Sequence, residues 1–397
     1  MRWVVPAVAG VSALSLGALL LASGPATPDA STLGPLGLAG ATASSTATQA
    51  TPEETEPADV VAVQAATAQG PSLVFASFNV CKVDCAPPAP SWDVRRDRVA
   101  RIINETGADV IGLQEATNNP TSTAKTQAED VANLAAAGGF RTPQYPLEAN
   151  ECRRPRNASG QLAGPSPCDN TSMLVYRAST VQQVGLPGGQ PSAGILLTSS
   201  IAPAVDPLSA IRSVAWAYLQ GANGTGPFLA VSMHTDSAKT PEAEASRVAI
   251  GAALDDWAAA WNATHGMTGA PVVLLADLNS YRKRQPQGVQ QVLVNEGWID
   301  AATAPQKRNV QFSTINYNPL LGVNEQGFPT KPYEFRTSKK KPELDATRID
   351  YVMAKGAGIE ALDYEVVIRL NPDGTFAADY QASDHQMVRA TLMFPPR

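Results

Sequence analysis

Several of the most apolar runs in this chain end on a residue that can ligate a cation or carry a proton. Asn79 closes SLVFASF, Glu115 closes VIGLQ, and His234 closes FLAVSM. Asp277 and Asn279 follow PVVLLA, Asp350 sits inside RIDYVM, and Asp384-His385 precede QMVRATLM. A carboxylate or imidazole at the end of a buried run must find a cation or a hydrogen-bond partner. Glu and Asp oxygens with amide support suit Mg²⁺, Mn²⁺ or Ca²⁺, which are hard ions. Two histidines and a spare aspartate supply an acid, a base and an orienter. Each residue alone has a bland structural reading. Together they fit one site at which an in-line water attacks a phosphate ester.

Positioning them takes strands with helices between. Pro71 to Val80, Asp109 to Glu115 and Ala270 to Ala276 read as buried strands, the last strongly apolar. Val94 to Glu105 and Ala128 to Ala137 read as amphipathic helices stopped by glycine, and Pro241 to Trp261 as a long Ala-rich helix opened by proline. Ser172 to Arg177, Gly194 to Ser200 and Ser213 to Leu219 are closely spaced strands, which points to antiparallel pairing, and Phe228 to Met233 is a further strand that ends at His234. Thr347 to Met353, Asp363 to Leu370 and Met387 to Met393 complete the set. Period two is expected to bring Asp277 and Asn279 to the same side of their strand. Strands alternating with helices make this an α/β chain.

The ends carry different information. Residues 3 to 22 are almost wholly apolar behind Arg2, and Ala22-Ser23-Gly24 follow. Residues 1–24 therefore read as a secretory signal, with a retained anchor as the alternative. Residues 25–70 are rich in Ala, Thr, Ser and Pro and cannot bury enough apolar surface to order themselves, which reads as a spacer or a stalk. Of 30 bases and 36 acids this stretch and the signal hold one and five, leaving 29 against 31 in residues 71–397. That near balance excludes neither nucleic acid nor a small phosphoester. Arg153, Arg154 and Arg156, Arg282-Lys283-Arg284 and Lys339-Lys340-Lys341 are solvated clusters that could also meet phosphates. Cys81, Cys85, Cys152 and Cys168 form two close pairs in Pro-rich segments, and in an exported chain they read as two disulfides. A zinc site competes weakly, since none of the three histidines lies near a cysteine.

The motifs SFNV (Ser77–Val80), IGLQE (Ile111–Glu115), MHT (Met233–Thr235), ADLN (Ala276–Asn279), RIDYV (Arg348–Val352) and SDH (Ser383–His385) occur in an order similar to that of the endonuclease/exonuclease/phosphatase superfamily. The resemblance spans nearly all of residues 71–397 and implies a four-layer α/β/β/α sandwich of two packed mixed sheets flanked by helices. It implies Asn79 and Glu115 at the metal, with Asp384 a second metal-side carboxylate and Asn79 also near substrate. Asp277 resembles the residue that orients or activates water, Asn279 a phosphate contact, and His385 the phosphate-contacting histidine oriented by an aspartate, here Asp350. His234 matches a histidine found in the DNase I-like and sphingomyelinase-like branches. The carboxylate that partners it in DNase I has Asn170 as its best counterpart here, so Asn170 is a candidate substrate-side residue.

The resemblance thus implies an exported, Mg²⁺-dependent (Mn²⁺ or Ca²⁺ as alternatives) phosphodiesterase, with a nuclease as the first reading. A phosphatase or sphingomyelinase-like hydrolase of small or lipid phosphoesters is the second. A binding module that has kept the fold without the catalysis is the third. No protein partner is implied, and a membrane enters only if the N-terminal segment is retained.

Overall fold

The computed structural model describes residues 70–85, 89–152, 159, 172–203, 212–280, 288–315, 330–332 and 348–396. All of them fall in one compact unit, Ala65–Arg397. Asn170, Cys168, the arginines at 153, 154 and 156, the clusters at 282–284 and 339–341, and the N-terminal segment read as signal and spacer lie outside the described residues. No helix among the described residues is long and apolar enough to cross a membrane.

In chain order the elements are β1 (Ser72–Asn79), α1 (Trp92–Glu105), β2 (Val110–Gln114), α2 (Gln127–Ala137), β3 (Phe140–Arg141), β4 (Met173–Arg177), β5 (Val181–Gln183) and β6 (Ala193–Leu197). Then come α3 (Thr198–Ile201), β7 (Ser213–Gly221), β8 (Phe228–His234), α4 (Pro241–Thr264), β9 (Val272–Asp277), α5 (Val289–Asn295) and β10 (Ile299–Asp300). The last four are β11 (Gln306–Arg308), β12 (Asp350–Lys355), β13 (Glu360–Val366) and β14 (Val388–Met393). One sheet runs β11-β13-β14-β1-β2-β4-β3; the other runs β10-β12-β9-β8-β7-β5, with β6 also on β7. Both are mixed: β1 pairs parallel with β2 and antiparallel with β14, while β8 pairs parallel with β9 and antiparallel with β7.

Period-two alternation sorts the side chains into layers. Leu73 and Phe75 of β1 meet Phe228 of β8 and Val273 and Leu275 of β9 between the sheets. Ala76, Phe78, Ile111 and Leu113 face outward onto Val99, Ile102 and Ile103 of α1 and Val131 of α2. On the far side, Val231, Leu274, Ala276 and Tyr351 pack against Ile250 and Leu254 of α4 and Leu293 of α5. The order is helix, sheet, sheet, helix, the expected four-layer sandwich. Phe75 and Phe228 meet edge to face across the two sheets at 5.5 Å, a contact worth about 0.5–1.5 kcal/mol beyond its buried area.

The helix ends follow local rules. Thr240 caps α4 by accepting the Ala243 N–H at 3.2 Å, with Pro241 in the first turn, and Thr126 caps α2 through the Glu129 N–H at 3.0 Å. Two boundaries differ from the sequence expectation. The run from Gly194 to Ser200 leaves the strand at Leu197 and turns helical from Thr198, and the run from Asp363 to Leu370 is strand only to Val366, having begun at Glu360.

Candidate active site

The parity that sends Leu73 and Phe75 between the sheets also sends Ser77 and Asn79 there. Val110 places Gly112 and Gln114 on the same inner side, Phe228 and Ala230 place Ser232 and His234, Val273 and Leu275 place Asp277, and Val352 and Ala354 place Asp350. The polar strand ends are thus the continuation of the intersheet layer past the point where apolar side chains stop. A polar rung separates the two zones. Ser77 Oγ donates to Gln114 Oε1 (3.3 Å), and Gln114 Nε2 donates to Ser232 Oγ and Leu275 O (3.1 Å each). Ser232 Oγ in turn donates to Leu113 O at 3.1 Å. Gly112 lets the sheets close here, since a Cβ on it would stand 2.5 Å from Leu275 Cβ.

Asp277 is the hub. Its Oδ2 accepts from Asn79 Nδ2 at 3.0 Å and lies 3.3 Å from His234 Nε2 and 3.8 Å from His385 Nε2, while Oδ1 accepts the Asn279 N–H at 2.9 Å. Burial pushes the Asp277 carboxyl up to about 7, held back by His385 and reinforced by Asp350. Asn279 does converge with Asp277, but by another route than the strand period. The strand ends at Asp277, and Asn279 sits at φ +44°, in the left-handed region that asparagine tolerates. That turn brings its amide back to His234 Nε2 (2.9 Å) and to Thr235 O (3.2 Å).

The two histidines differ in charge. His385 Nδ1 faces both oxygens of Asp350, at 3.1 and 3.0 Å. Burial works against a charge on His385, but Asp350 and then Asp277 outweigh it, so its pKa stands well above the ordinary value. Burial, Arg212 and His385 all press His234 the other way, well below the ordinary value. Arg212 Nη1 lies 3.0 Å from His234 Nδ1. A guanidinium can only donate, so Nδ1 accepts from Arg212, while Nε2 faces both Asp277 Oδ2 and the Asn279 amide nitrogen. Thr314 ties the Asp350–His385 pair together from behind: its Oγ1 accepts the Ile349 and Asp350 N–H groups (3.0 and 3.3 Å), and its carbonyl accepts the Gln386 N–H (2.7 Å).

A family model described as the endonuclease/exonuclease/phosphatase family matches residues 76–385. The chain belongs to that family. Its enzymes are phosphoric ester hydrolases that use divalent metals. No curated protein sequence matches the chain. Solved structures share the fold. An endonuclease/exonuclease/phosphatase family protein from Bacteroides thetaiotaomicron aligns with a TM-score of 0.55 at 17% identity, covering 82% of this chain and 99% of that one. A mannosyl-6-phosphatase from the same organism aligns at 0.54 and 16%, covering 81% and 100%. A functionally unknown conserved protein from Enterococcus faecalis aligns at 0.52 and 18%, covering 81% and 99%.

Glu115 and Asp384 each offer a partly exposed carboxylate, the kind of oxygen donor a hard divalent cation prefers. Glu115 stands just past β2 at φ +59°, its side chain 19% exposed, with Oε1 accepting from Asn79 Nδ2 (3.2 Å) and Oε2 from the Lys82 N–H (3.1 Å). Asp384 is also partly exposed, with Oδ1 3.2 Å from Ser383 Oγ. The amide oxygen of Asn79 accepts the Cys81 N–H at 2.9 Å, while its Nδ2 serves Glu115 and Asp277. Asp277, Asp350 and His385 also cluster closely enough to surround an ion. There, however, Nδ1 of His385 is engaged by Asp350, and a charged imidazolium has no lone pair to give. Asp384 lies beside Cys81 and Cys85 as well, but those sulfurs are joined in a disulfide, as the sequence led us to expect. Cys152 is disulfide-bonded too.

Of the residues picked from sequence, Asn79, Glu115, His234, Asp277, Asn279, Asp350, Asp384 and His385 gather at this one end of the sandwich. Sequence reasoning missed Gln114, Ser232, Arg212 and Arg95. Gln114 sat inside the IGLQE motif and only its neighbour was read; Arg212 and Arg95 act across long stretches of chain and left no local signal.

Proposed function

We propose that this family member is an exported phosphodiesterase whose substrate class is nucleic acid, using Mg²⁺, with Mn²⁺ or Ca²⁺ as substitutes. The observation that carries the reading is Asp277 held between two imidazoles, one charged and one neutral. Asp277 orients and deprotonates the attacking water. His385, kept charged by Asp350, meets the phosphoryl oxygens and stabilises the charge that develops there. His234, kept neutral, serves proton transfer on the other side of Asp277, and Asn279 contacts the phosphate. Glu115 and Asp384 would hold the cation, which supplies Lewis-acid polarisation of a phosphoryl oxygen and neutralises charge. The apolar residues 3–22 and the disulfides support export, which the protein's appearance in culture supernatant would test.

A phosphomonoesterase is the second reading, favoured by the mannosyl-6-phosphatase among structures of the same fold. Two substrates separate the readings: supercoiled plasmid and a sugar phosphate, each with Mg²⁺ or EDTA. Metal-dependent nicking supports the nuclease. Release of inorganic phosphate from the sugar, with the plasmid intact, replaces it with the second reading.

A further inference from the structure

Arg95 is fully buried in the first turns of α1. Its five N–H groups all go to backbone carbonyls. Nε donates to Pro90 O (2.9 Å), Nη1 to Val80 O (2.7 Å) and Ala382 O (2.9 Å), and Nη2 to Cys81 O (3.1 Å) and Lys82 O (2.8 Å). A cation is an expensive way to satisfy carbonyls unless negative charge is close by. The charges that act on it are those of Asp384 and Glu115.

The carbonyls Arg95 grips belong to the two segments that carry those carboxylates and their supports. In residues 80–82, the Cys81 N–H holds Asn79 Oδ1 and the Lys82 N–H holds Glu115 Oε2. Residue 382 leads directly into Ser383, whose hydroxyl donates to Asn79 O at 2.6 Å, and into Asp384. Cys81 is held at φ +53°, a conformation its own side chain does not favour and the surrounding bonds must impose. A planar fork with five fixed donors can bind both segments at once, which an ammonium cannot.

We propose that Arg95 is a positioning residue for the metal centre, pinning residues 80–82 and 382 so that Glu115 and Asp384 stand ready before a cation arrives. The inference rests on the reading of those two carboxylates as the metal ligands. It reaches the chemistry only through the backbone and through charge, since Arg95 does not touch the site's open side.

The test is Mn²⁺ binding by calorimetry to the full chain, alongside thermal unfolding, for wild type, Glu115→Gln, Arg95→Lys and Arg95→Met. Supports of metal ligands typically change affinity ten- to a hundredfold, and that loss is expected in both Arg95 variants, Lys included because it keeps the charge but not the fork. Turnover of bis(4-nitrophenyl) phosphate should recover as Mn²⁺ is raised to saturation, with the KM for the phosphoester unchanged. A lowered unfolding temperature with unchanged Mn²⁺ affinity would make Arg95 merely structural and overturn the inference. If wild type binds no Mn²⁺, or Glu115→Gln binds it as wild type does, the metal-site reading itself fails. Should neither Arg95 variant fold, Gln127→Leu asks the same question, because Gln127 Nε2 also donates to Cys81 O at 2.8 Å. It is expected to weaken Mn²⁺ binding, and unchanged affinity there would overturn the inference as well.

Discussion

Nδ1 of His385 sits astride the carboxylate of Asp350, 3.0 and 3.1 Å from its two oxygens, with both side chains buried. The carboxylate fixes the ring and keeps it charged. Asp350→Asn keeps the shape and removes the largest charge that favours the imidazolium, so the imidazole's pKa falls. The expected result is a loss in kcat of about 10²–10⁴ with little change in KM. The alkaline limb of the pH–rate profile should also move to lower pH. A profile unmoved in Asp350→Asn would remove His385's charge from the mechanism.

Chelation should abolish turnover, and Mg²⁺ or Mn²⁺ should restore it where Na⁺ does not. Glu115→Gln and Asp384→Asn each leave a neutral oxygen in place of a carboxylate. Both should raise the Mg²⁺ concentration for half-maximal activity, Glu115→Gln more steeply because Glu115 is also fastened by Asn79 and Lys82. A metal-concentration series on the three proteins measures this directly.

The fold carries a second buried pair away from the chemistry. Arg348 grips Asp300 with two bonds of 2.7 and 2.6 Å, and Gln290 Nε2 adds a third at 2.8 Å. Burial raises the Asp300 carboxyl's pKa, but Arg348 more than reverses this, and it lies below the ordinary value. Its contribution is therefore fully present above the unfolded value of about 4 and is lost as pH falls through the folded value. Asp300→Asn strands the guanidinium and should cost about 3–5 kcal/mol at neutral pH by urea unfolding. Its stability should also fall less between neutral pH and pH 3 than that of wild type.

The disulfide Cys81–Cys85 closes a very short loop. By loop-closure entropy, Cys81→Ser with Cys85→Ser should lower stability by about 2 kcal/mol in chemical unfolding. The loop's amides remain held by Glu115, Asn79 and Arg95. Metal affinity should therefore fall less in this double variant than in Arg95→Met.

How much of this was legible in the sequence depends on the range of each interaction. The strand ends were readable because alternation is local: once Leu73 and Phe75 face inward, Asn79 must follow, and Asp277 follows Val273 and Leu275 in the same way. The four-layer order came from the motifs, since periodicity alone did not fix how the sheets pack. The pairing of Asp350 with His385 also came from the resemblance, and the structure places the two in contact. Asn279 was assigned to the right neighbourhood for the wrong reason, because a single left-handed residue after a strand leaves no trace in hydrophobic pattern. Arg95 bonds Ala382 across 287 residues and Gln114 bonds Ser232 across 118. Such partners become visible only when the chain is folded.

The most direct test of the account is the rate at which Asp277→Asn hydrolyses bis(4-nitrophenyl) phosphate with saturating Mg²⁺, compared with wild type and with wild type in EDTA. In the proposed reading Asp277, with His234 and His385 on either side of it, takes the proton of the attacking water. The account predicts metal-dependent turnover in wild type and a loss in kcat of about 10²–10⁴ in the variant, with its fold and Mg²⁺ affinity retained. Turnover near the wild-type rate in Asp277→Asn would contradict it.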